Sequence, residues 1–463
     1  MSRARVLGSI ACIGFVAACS KLIEATGAAP NRDAVTIVLQ NVPDTLFIGD
    51  SAGVYVQIND KDGRPAWNDT VAVWQSSDVS IASLDPSHPP TPTPHGFTWV
   101  YGKRSGQATI SAQTKNLSAS KVVTIVGPAD IGAGDSRFGY ALADQPALPG
   151  PYKPDAGYRF NSSSGDVTIT RDSVGWYNVR FAGLARKPNQ RDNAQATAFG
   201  SPPGVHCKLL RSVIDGADMI VPVHCHQGNA AIDSRFTVLF SGARAFDLTT
   251  PFAFALRLPT AQFLSLDTSA TAFNSVSGHI GFARTGVGNY NFGFPGFETF
   301  TGPAAFLATA VNTTADHCRV ENYTLGGGFV ASCFAPDGTP SDGGVNIMQF
   351  TRGRVGHRYA YASTQNVTAV TPPVDPTLTR NSSGGSATSR RLGVGQWTVT
   401  FAGLGRPAGG TEIVIVSALK ETDHSCSLVT WGNTGTADLT VTLQCVNPSG
   451  ALVDARFSVL VVE

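Results

Sequence analysis

Apolar and polar positions alternate with a period of two along much of this chain, and that period predicts strands. From Val54 to Asn59 the apolar Val54, Val56 and Ile58 fall on one side, and Tyr55, Gln57 and Asn59 on the other. Three later segments repeat the device. Tyr177, Val179 and Phe181 alternate with Asn178 and Arg180; Tyr290, Phe292 and Phe294 with Asn291 and Gly293; Trp397, Val399 and Phe401 with Thr398 and Thr400. Each reads as a half-buried strand with one wet face, its aromatics serving as core rather than as a platform for sugars. One unbroken apolar stretch stands apart, Val6 to Cys19, and its 14 residues fall short of the roughly 20 that a membrane-spanning helix needs.

The three aromatic strands sit inside a longer repeat. "YRFNSSSGDVTITRDSVGWYNVRFAGL", "TAFNSVSGHIGFARTGVGNYNFGFPGF" and "LTRNSSGGSATSRRLGVGQWTVTFAGL" keep a step of 22 residues from Asn161 to Gly183, Asn274 to Gly296 and Asn381 to Gly403. Gapless spacing predicts one fold used three times, over residues 136–245, 250–352 and 356–463. Copies one and three end alike, "DSRFTVLF" from Asp233 and "DARFSVLVV" from Asp454. Asp233 with Arg235, and Asp454 with Arg456, read as exposed pairs on a strand face, worth about 0 to 1 kcal/mol each. Copy two has "DGGVNIMQF" in that place and Phe297 for the leucine of the Gly-Leu turn, which reads as divergence.

Composition sharpens the strand reading. The chain has 49 Gly and 28 Pro in 463 residues, and only 14% of residues are charged. Such a chain disfavours long helices and favours short strands joined by turns. The formal net charge of +1 provides no basic footprint for nucleic acid.

The N-terminus combines Arg3 and Arg5, the apolar run, and Val16-Ala17-Ala18-Cys19. This resembles the signal peptide and lipobox of bacterial lipoproteins. The resemblance implies cleavage before Cys19, acylation of Cys19 as the mature N-terminus and membrane anchor, a tether over residues 20–33, and export to the cell envelope, with Ser20 of the kind that permits transfer to the outer membrane. Cys12 would leave with the signal, so six cysteines remain, an even number that reads as disulfides in an exported chain. The midpoints of Cys207/Cys225, Cys318/Cys333 and Cys426/Cys445 all fall in glycine-containing turns. The expected bridges are therefore Cys207–Cys225, Cys318–Cys333 and Cys426–Cys445, one across a hairpin of each copy.

"LFIGDSAGVYV" contains Gly49-Asp50-Ser51-Ala52-Gly53, a match to the G-x-S-x-G nucleophile elbow of serine hydrolases. An elbow needs a helix after the serine and a sheet before it. Here a strand follows, and too few residues precede, so Gly49 and Asp50 read as a turn between strands. The same stretch, with the Leu46–Asp50 turn, the Asp62-Gly63 turn, "WQSSDVSIASL" and "GQATISA", resembles bacterial Ig-like group 2 (BIG2) domains over residues 34–127, interrupted by the Pro-rich "DPSHPPTPTPHG". BIG2 domains imply a β-sandwich that acts as a spacer or binding module on bacterial surfaces.

Other chemistry is sparse. His206, His224 and His226 flank the first cysteine pair and are the candidate metal ligands, although copy three has Ser425 and Gln444 in two of these places and a disulfide would consume the thiolates. The acidic run from Asp60 lacks the final glutamate of a calcium loop and reads as a hairpin. Glutamate is nearly absent, so paired carboxylates for glycoside cleavage find no place. The expectation is an all-β chain, a BIG2-like sandwich followed by three sandwich-like repeats in series. Its expected role is a non-enzymatic surface adhesion, binding or envelope-structural one, with no catalytic residues, no cofactor and no nucleic acid. Partners would be the membrane through the lipid and a glycan or surface protein. A carbohydrate-binding array is the alternative and a secreted hydrolase the third reading; the directions of Trp176, Trp397 and Trp431 discriminate the first two.

Overall fold

The structure, a computed structural model, describes residues 33–463 except 49, 67–72, 86–94, 115, 128–133, 188–189, 259–270, 278, 325, 365–366, 420–422 and 436. Cys19, the apolar run and most of the tether lie outside the described residues, as does most of the Pro-rich insertion. The chain is all-β; its helical content among the described residues is two single turns, Ala156–Tyr158 and Pro376–Leu378. Among the described residues no helix is long and apolar enough to cross a membrane. The chain divides into two compact units between Ile125 and Val126.

The N-terminal unit is a sandwich of two four-stranded sheets. One runs in the order Thr36–Gln40, Ser51–Asn59, His95–Gly102, Ala82–Leu84, and the other Thr45–Phe47, Ser118–Val126, Gly106–Gln113, Val73–Ser76. Val54, Val56 and Ile58 are buried with Val100, Ile110 and Val123, as the alternation requires. Ser51 opens a nine-residue strand, so the elbow-like motif leads into a sheet and not into a helix. The Asp60 carboxylate accepts the Asp62 and Arg64 backbone N–H groups at 2.9 Å, and Gly63 takes φ +75°, which closes the hairpin read from the sequence.

In the second unit each copy forms an inner and an outer four-stranded sheet with the same strand order. In copy one the inner sheet is Arg159–Asn161, Phe138–Ala143, Phe236–Gly242, Asp192–Ala198, and the outer sheet Val167–Ser173, Trp176–Phe181, Asp218–Gln227, Val205–Leu209. Copy two repeats this with Ala272–Asn274, Ala253–Arg257, Gly344–Phe350, Ala305–Val311 inside and Gly281–Gly286, Asn289–Gly293, Gly328–Phe334, His317–Thr324 outside. Copy three has Arg380–Asn381, Tyr359–Ala362, Phe457–Val462, Ile413–Ala418 inside and Ala387–Gly393, Gln396–Phe401, Asp438–Val446, Ser425–Thr434 outside. The aromatic strands are outer strands whose Tyr177, Tyr290 and Trp397 are buried in the sandwich. Three disulfides, Cys207–Cys225, Cys318–Cys333 and Cys426–Cys445, join residues directly opposite each other on paired outer strands.

The three copies follow one another along the chain and close into a ring. Leu209 of copy one bridges Val311 of copy two, Val320 of copy two bridges Leu419 of copy three, and Leu428 of copy three bridges Phe199 of copy one. In each case the bridging residue lies two positions after the first cysteine of its copy, and its partner ends the neighbouring inner sheet. The outer sheet of one copy thus continues into the inner sheet of the next, and the third returns to the first. A head-to-tail interface that closes after three steps leaves no copy with a free end. Tandem sequence repeats carry no information about this closure.

The Asp-Arg pairs also differ from the exposed pairs expected. Asp233 does not face Arg235; it takes a two-pronged bond from Arg171, Nε at 2.9 Å and Nη2 at 2.8 Å, together with the Gly175 N–H and the Tyr177 hydroxyl. Arg391 holds Asp454 in the same way at 2.8 and 2.7 Å, with the Gly395 N–H at 2.9 Å. Copy two keeps the clamp through Arg284, Asp342 and Gly288, so its divergent sequence preserves the geometry. Each glycine sits at positive φ, and a Cβ there would meet the carbonyl oxygen of the second cysteine at 2.4 to 2.7 Å. Only glycine fits, and the clamp fastens the hairpin turn to the disulfide strand. The arginine bond holds all three aspartates below the usual carboxylate range.

Candidate functional site at the centre of the ring

The inner strands Asp192–Ala198, Ala305–Val311 and Ile413–Ala418 meet at the centre, and they carry hydroxyls at corresponding positions, Thr197, Thr309 and Ser417. Each reaches the backbone of a neighbouring copy. Thr197 Oγ1 donates to the Val416 carbonyl at 2.9 Å and accepts the Val416 N–H at 3.0 Å. Ser417 Oγ accepts the Ala308 N–H at 3.1 Å and donates to its carbonyl at 3.2 Å. Thr309 Oγ1 accepts the Ala196 N–H at 3.3 Å and donates to Gln195 at 2.6 Å. The three bonds run round the ring in one direction. Asn193 and Asn346 add a side-chain bond between copies one and two, and Thr237 Oγ1 donates to the Val414 carbonyl at 2.8 Å. These polar groups are buried and satisfied only because the neighbouring copies supply the partners.

At one end of the inner strands lies a cavity of about 50 Å³ lined by the three hydroxyls, the first cysteines Cys207, Cys318 and Cys426, and His206, His317 and Ser425. Ligand sites usually measure about 300 to 1,000 Å³, so this space suits a water rather than a substrate. Beside it the His206 and His317 rings stack at 5.1 Å, and His317 Nε2 meets Asp423 of copy three at 3.0 Å. The Lys208 ammonium is buried on Asn312, and burial lowers its pKa to about 8.

The structure does bring the candidate histidines together, on a face turned into the junction. His206 and His226 face each other at 5.4 Å between ring centroids, and His224 lies 5.7 Å from His226. They are not aimed at a common point. His226 Nδ1 donates to the Gly228 carbonyl at 3.0 Å, and His224 stacks on Trp176 at 4.0 Å. Among the described residues no three His, Cys, Asp or Glu side chains are placed to hold a metal ion. Burial and the nearby Lys208 ammonium lower His224 to about 4 and His226 to about 3, and burial with the neighbouring His317, His226 and Lys208 pushes His206 well below its ordinary value. Neutral imidazoles, stacked and desolvated, are a proton-sensitive packing element.

The three tryptophans give no exposed platform. Trp397 is fully buried, Trp176 is covered on one face by His224, and Trp431 is 7% exposed. Trp431 belongs to copy three and inserts between Phe199 and Tyr158 of copy one, at 4.9 and 5.2 Å, with Arg235 over Phe199 and Arg406 over Tyr158. It is a seam residue. Sequence reasoning missed the central hydroxyls altogether, because a Thr or Ser every hundred residues carries no signal until the strands that bear it meet.

No protein-family model matches the chain, and no curated protein matches it. Among solved structures, domains 4 and 5 of the S-layer protein SbsC are 19% identical at a TM-score of 0.19, over 21% of this chain and 54% of that one, so the chain spans about half of that structure. The Escherichia coli adhesin FdeC is 12% identical at a TM-score of 0.21, covering 74% of this chain and 97% of that one. SbsC domains 4–9 are 10% identical at 0.20, covering 91% and 81%. None of these superposes on this chain as a whole, and at such scores they carry no argument about its role.

Proposed function

We propose that this chain is a lipid-anchored bacterial surface protein with a non-enzymatic adhesion, binding or envelope-structural role, in which a BIG2-like sandwich is followed along the chain by a ring of three disulfide-locked sandwiches. The observation that supports a binding scaffold is the use made of the ring's centre. Its buried hydroxyls and amides, with the His206–His317 stack, join one copy to the next, and the cavity of about 50 Å³ beside them is far below substrate size. Polar groups so placed rigidify a platform. The anchor and export rest on the lipobox-like residues up to Cys19, and the spacer role on the motifs shared with BIG2 domains.

Two measurements test the proposal. Labelling of the full chain with radioactive palmitate in a bacterial host should be lost in Cys19→Ala, and equal labelling of both would remove the anchor. A glycan and extracellular-matrix array probed with the soluble chain from residue 20 onward should return a ligand that withstands buffer changes but not unfolding. An array blank at micromolar protein, with intact cells also failing to capture the same panel, would sink the adhesion reading.

A further inference from the structure

At the opposite end of the inner strands from the central cavity, an open pocket of about 400 Å³ lies between Asp247 of the linker after copy one, the loop from Arg352 to His357 that leads into copy three, Tyr359, and the turn from Arg380 to Gly384. This volume falls within the range of small-ligand sites, about 300 to 1,000 Å³. The lining is cationic. Arg352 is neutralised by Asp247 at 3.2 Å and held by Thr249 at 2.9 Å. Arg354 and Arg380 make no ion pair among the described residues. Glu463, the carboxylate whose field reaches Arg354, is already bonded by Arg358 at 3.1 Å.

Both free guanidinium groups are held by aromatic faces. Arg354 lies over Phe138 and Phe160, at 5.1 and 4.8 Å, and its Nη1 is buried without a hydrogen-bond partner. Arg380 lies over Tyr359 at 6.0 Å. The position of Arg380 is where the three copies stop matching. Phe138, Phe252 and Tyr359 correspond, each donating its N–H to the serine after the repeat asparagine at 2.9 Å. In copies one and two the residue packed on that ring is another phenylalanine, Phe160 on Phe138 at 5.9 Å and Phe273 on Phe252 at 6.3 Å. Copy three replaces that phenylalanine with an arginine at the mouth of the pocket. Core packing gains nothing from the exchange, because the aromatic residue fits this place twice in the same chain.

We infer that this pocket binds a sugar unit carrying a carboxylate or a sulfate, with Arg354 and Arg380 meeting the oxyanion and Tyr359 and Ser382 bordering the ring. Guanidinium forks match planar and tetrahedral oxyanions, and stacking on aromatics fixes them before the ligand arrives. A free inorganic anion would occupy only a small part of the space. The inference deepens the proposed binding role by naming a ligand chemistry.

The test titrates the soluble chain from residue 20 onward with glucuronate, glucose 6-sulfate, inorganic sulfate and glucose, by calorimetry and by the His357 imidazole resonances. Burial and Arg354 lower the His357 pKa, so a bound oxyanion should raise it. Expected are binding of glucuronate or glucose 6-sulfate, none of glucose, and a loss of about tenfold or more in Arg380→Phe, the residue the other copies carry, and in Arg380→Gln. An unchanged melting temperature in Arg380→Phe shows the ring intact. Absence of binding by both acidic sugars, equal binding of glucose, or undiminished affinity in folded Arg380→Phe overturns the inference. Sulfate binding as tightly as the acidic sugars overturns the sugar and leaves a plain anion site. If the surface array responds while these probes fail, the pocket is wrong and the adhesion reading stands.

Discussion

The outer and inner sheets of each copy come from the same stretch of chain, yet they meet water differently. Outer strands such as Trp176–Phe181 and Gln396–Phe401 alternate between half-exposed and buried positions. Inner strands such as Asp192–Ala198, Ala305–Val311 and Ile413–Ala418 are buried at every position. An antiparallel sheet normally keeps one face wet. The second face of the inner sheet is dry because the neighbouring copies cover it, so ring closure, and not the fold of a single copy, accounts for that burial. A lone copy would expose an apolar face dotted with unpaired amides and hydroxyls.

Four substitutions or conditions would break or sharpen this contrast. The largest effect is expected from a charge on the inner face. Leu307→Asp, two residues before Thr309 on the same strand face, should cost at least about 4 kcal/mol in denaturant unfolding, or abolish soluble folding, while Thr398→Asp on the outer wet face should change stability by less than about 1 kcal/mol. Similar costs at the two sites would mean that the ring does not bury the inner face.

Next comes the disulfide. Replacing Cys426 and Cys445 together by alanine should lower stability by about 3 kcal/mol, since the bridge closes a loop with a sequence separation of 19. Calorimetry reads this as a lower melting temperature with the unfolding still cooperative; separate melting of copy three would show that the ring is not one unit.

Thr309→Val keeps the shape and removes the hydroxyl, leaving the Ala196 N–H and the Gln195 carbonyl oxygen Oε1 without their partner. About 2 kcal/mol should be lost. A neutral outcome would mean that the hydroxyls fill space without joining copies.

The effect of pH comes last because it is small close to neutrality and grows only as the solution is acidified. The unfolded histidines take up protons near pH 6.5, whereas folded His224 and His226 resist protonation down to about pH 4 and pH 3. Unfolding therefore binds protons between those limits, and stability falls as the pH drops below about 6.5, by at most about 1.4 kcal/mol per pH unit for each histidine. The aspartate clamps act lower. Their depressed carboxylates stabilise the fold above the ordinary aspartate range and lose that contribution as the pH falls through their folded values. A melting temperature flat between pH 7 and 5 would remove the histidines from the junction's energetics, and His226→Gln should flatten the profile if they belong there.

Much of each copy was legible before any coordinates. Period-two alternation marked the outer strands, the constant step of 22 residues revealed the repeat, and the turn at each cysteine midpoint indicated the three bridges, because all of these are local in sequence and follow from pleat geometry and chain reversal. The elbow-like Gly49–Gly53 motif was set aside on the same local grounds. The clamp was half visible: Asp233 and Asp454 stood out, but their arginines lie 62 and 63 residues earlier, and copy two hid its aspartate in a different string. Tertiary structure alone decided the ring. In "DNAQATA" Asn193, Gln195 and Thr197 share one strand face, and all three are buried against other copies. The physical reason is that alternation reports which face of a strand is apolar, whereas what covers the other face depends on partners a hundred or more residues away, whose backbone groups satisfy those polar atoms only after the three copies have closed on one another.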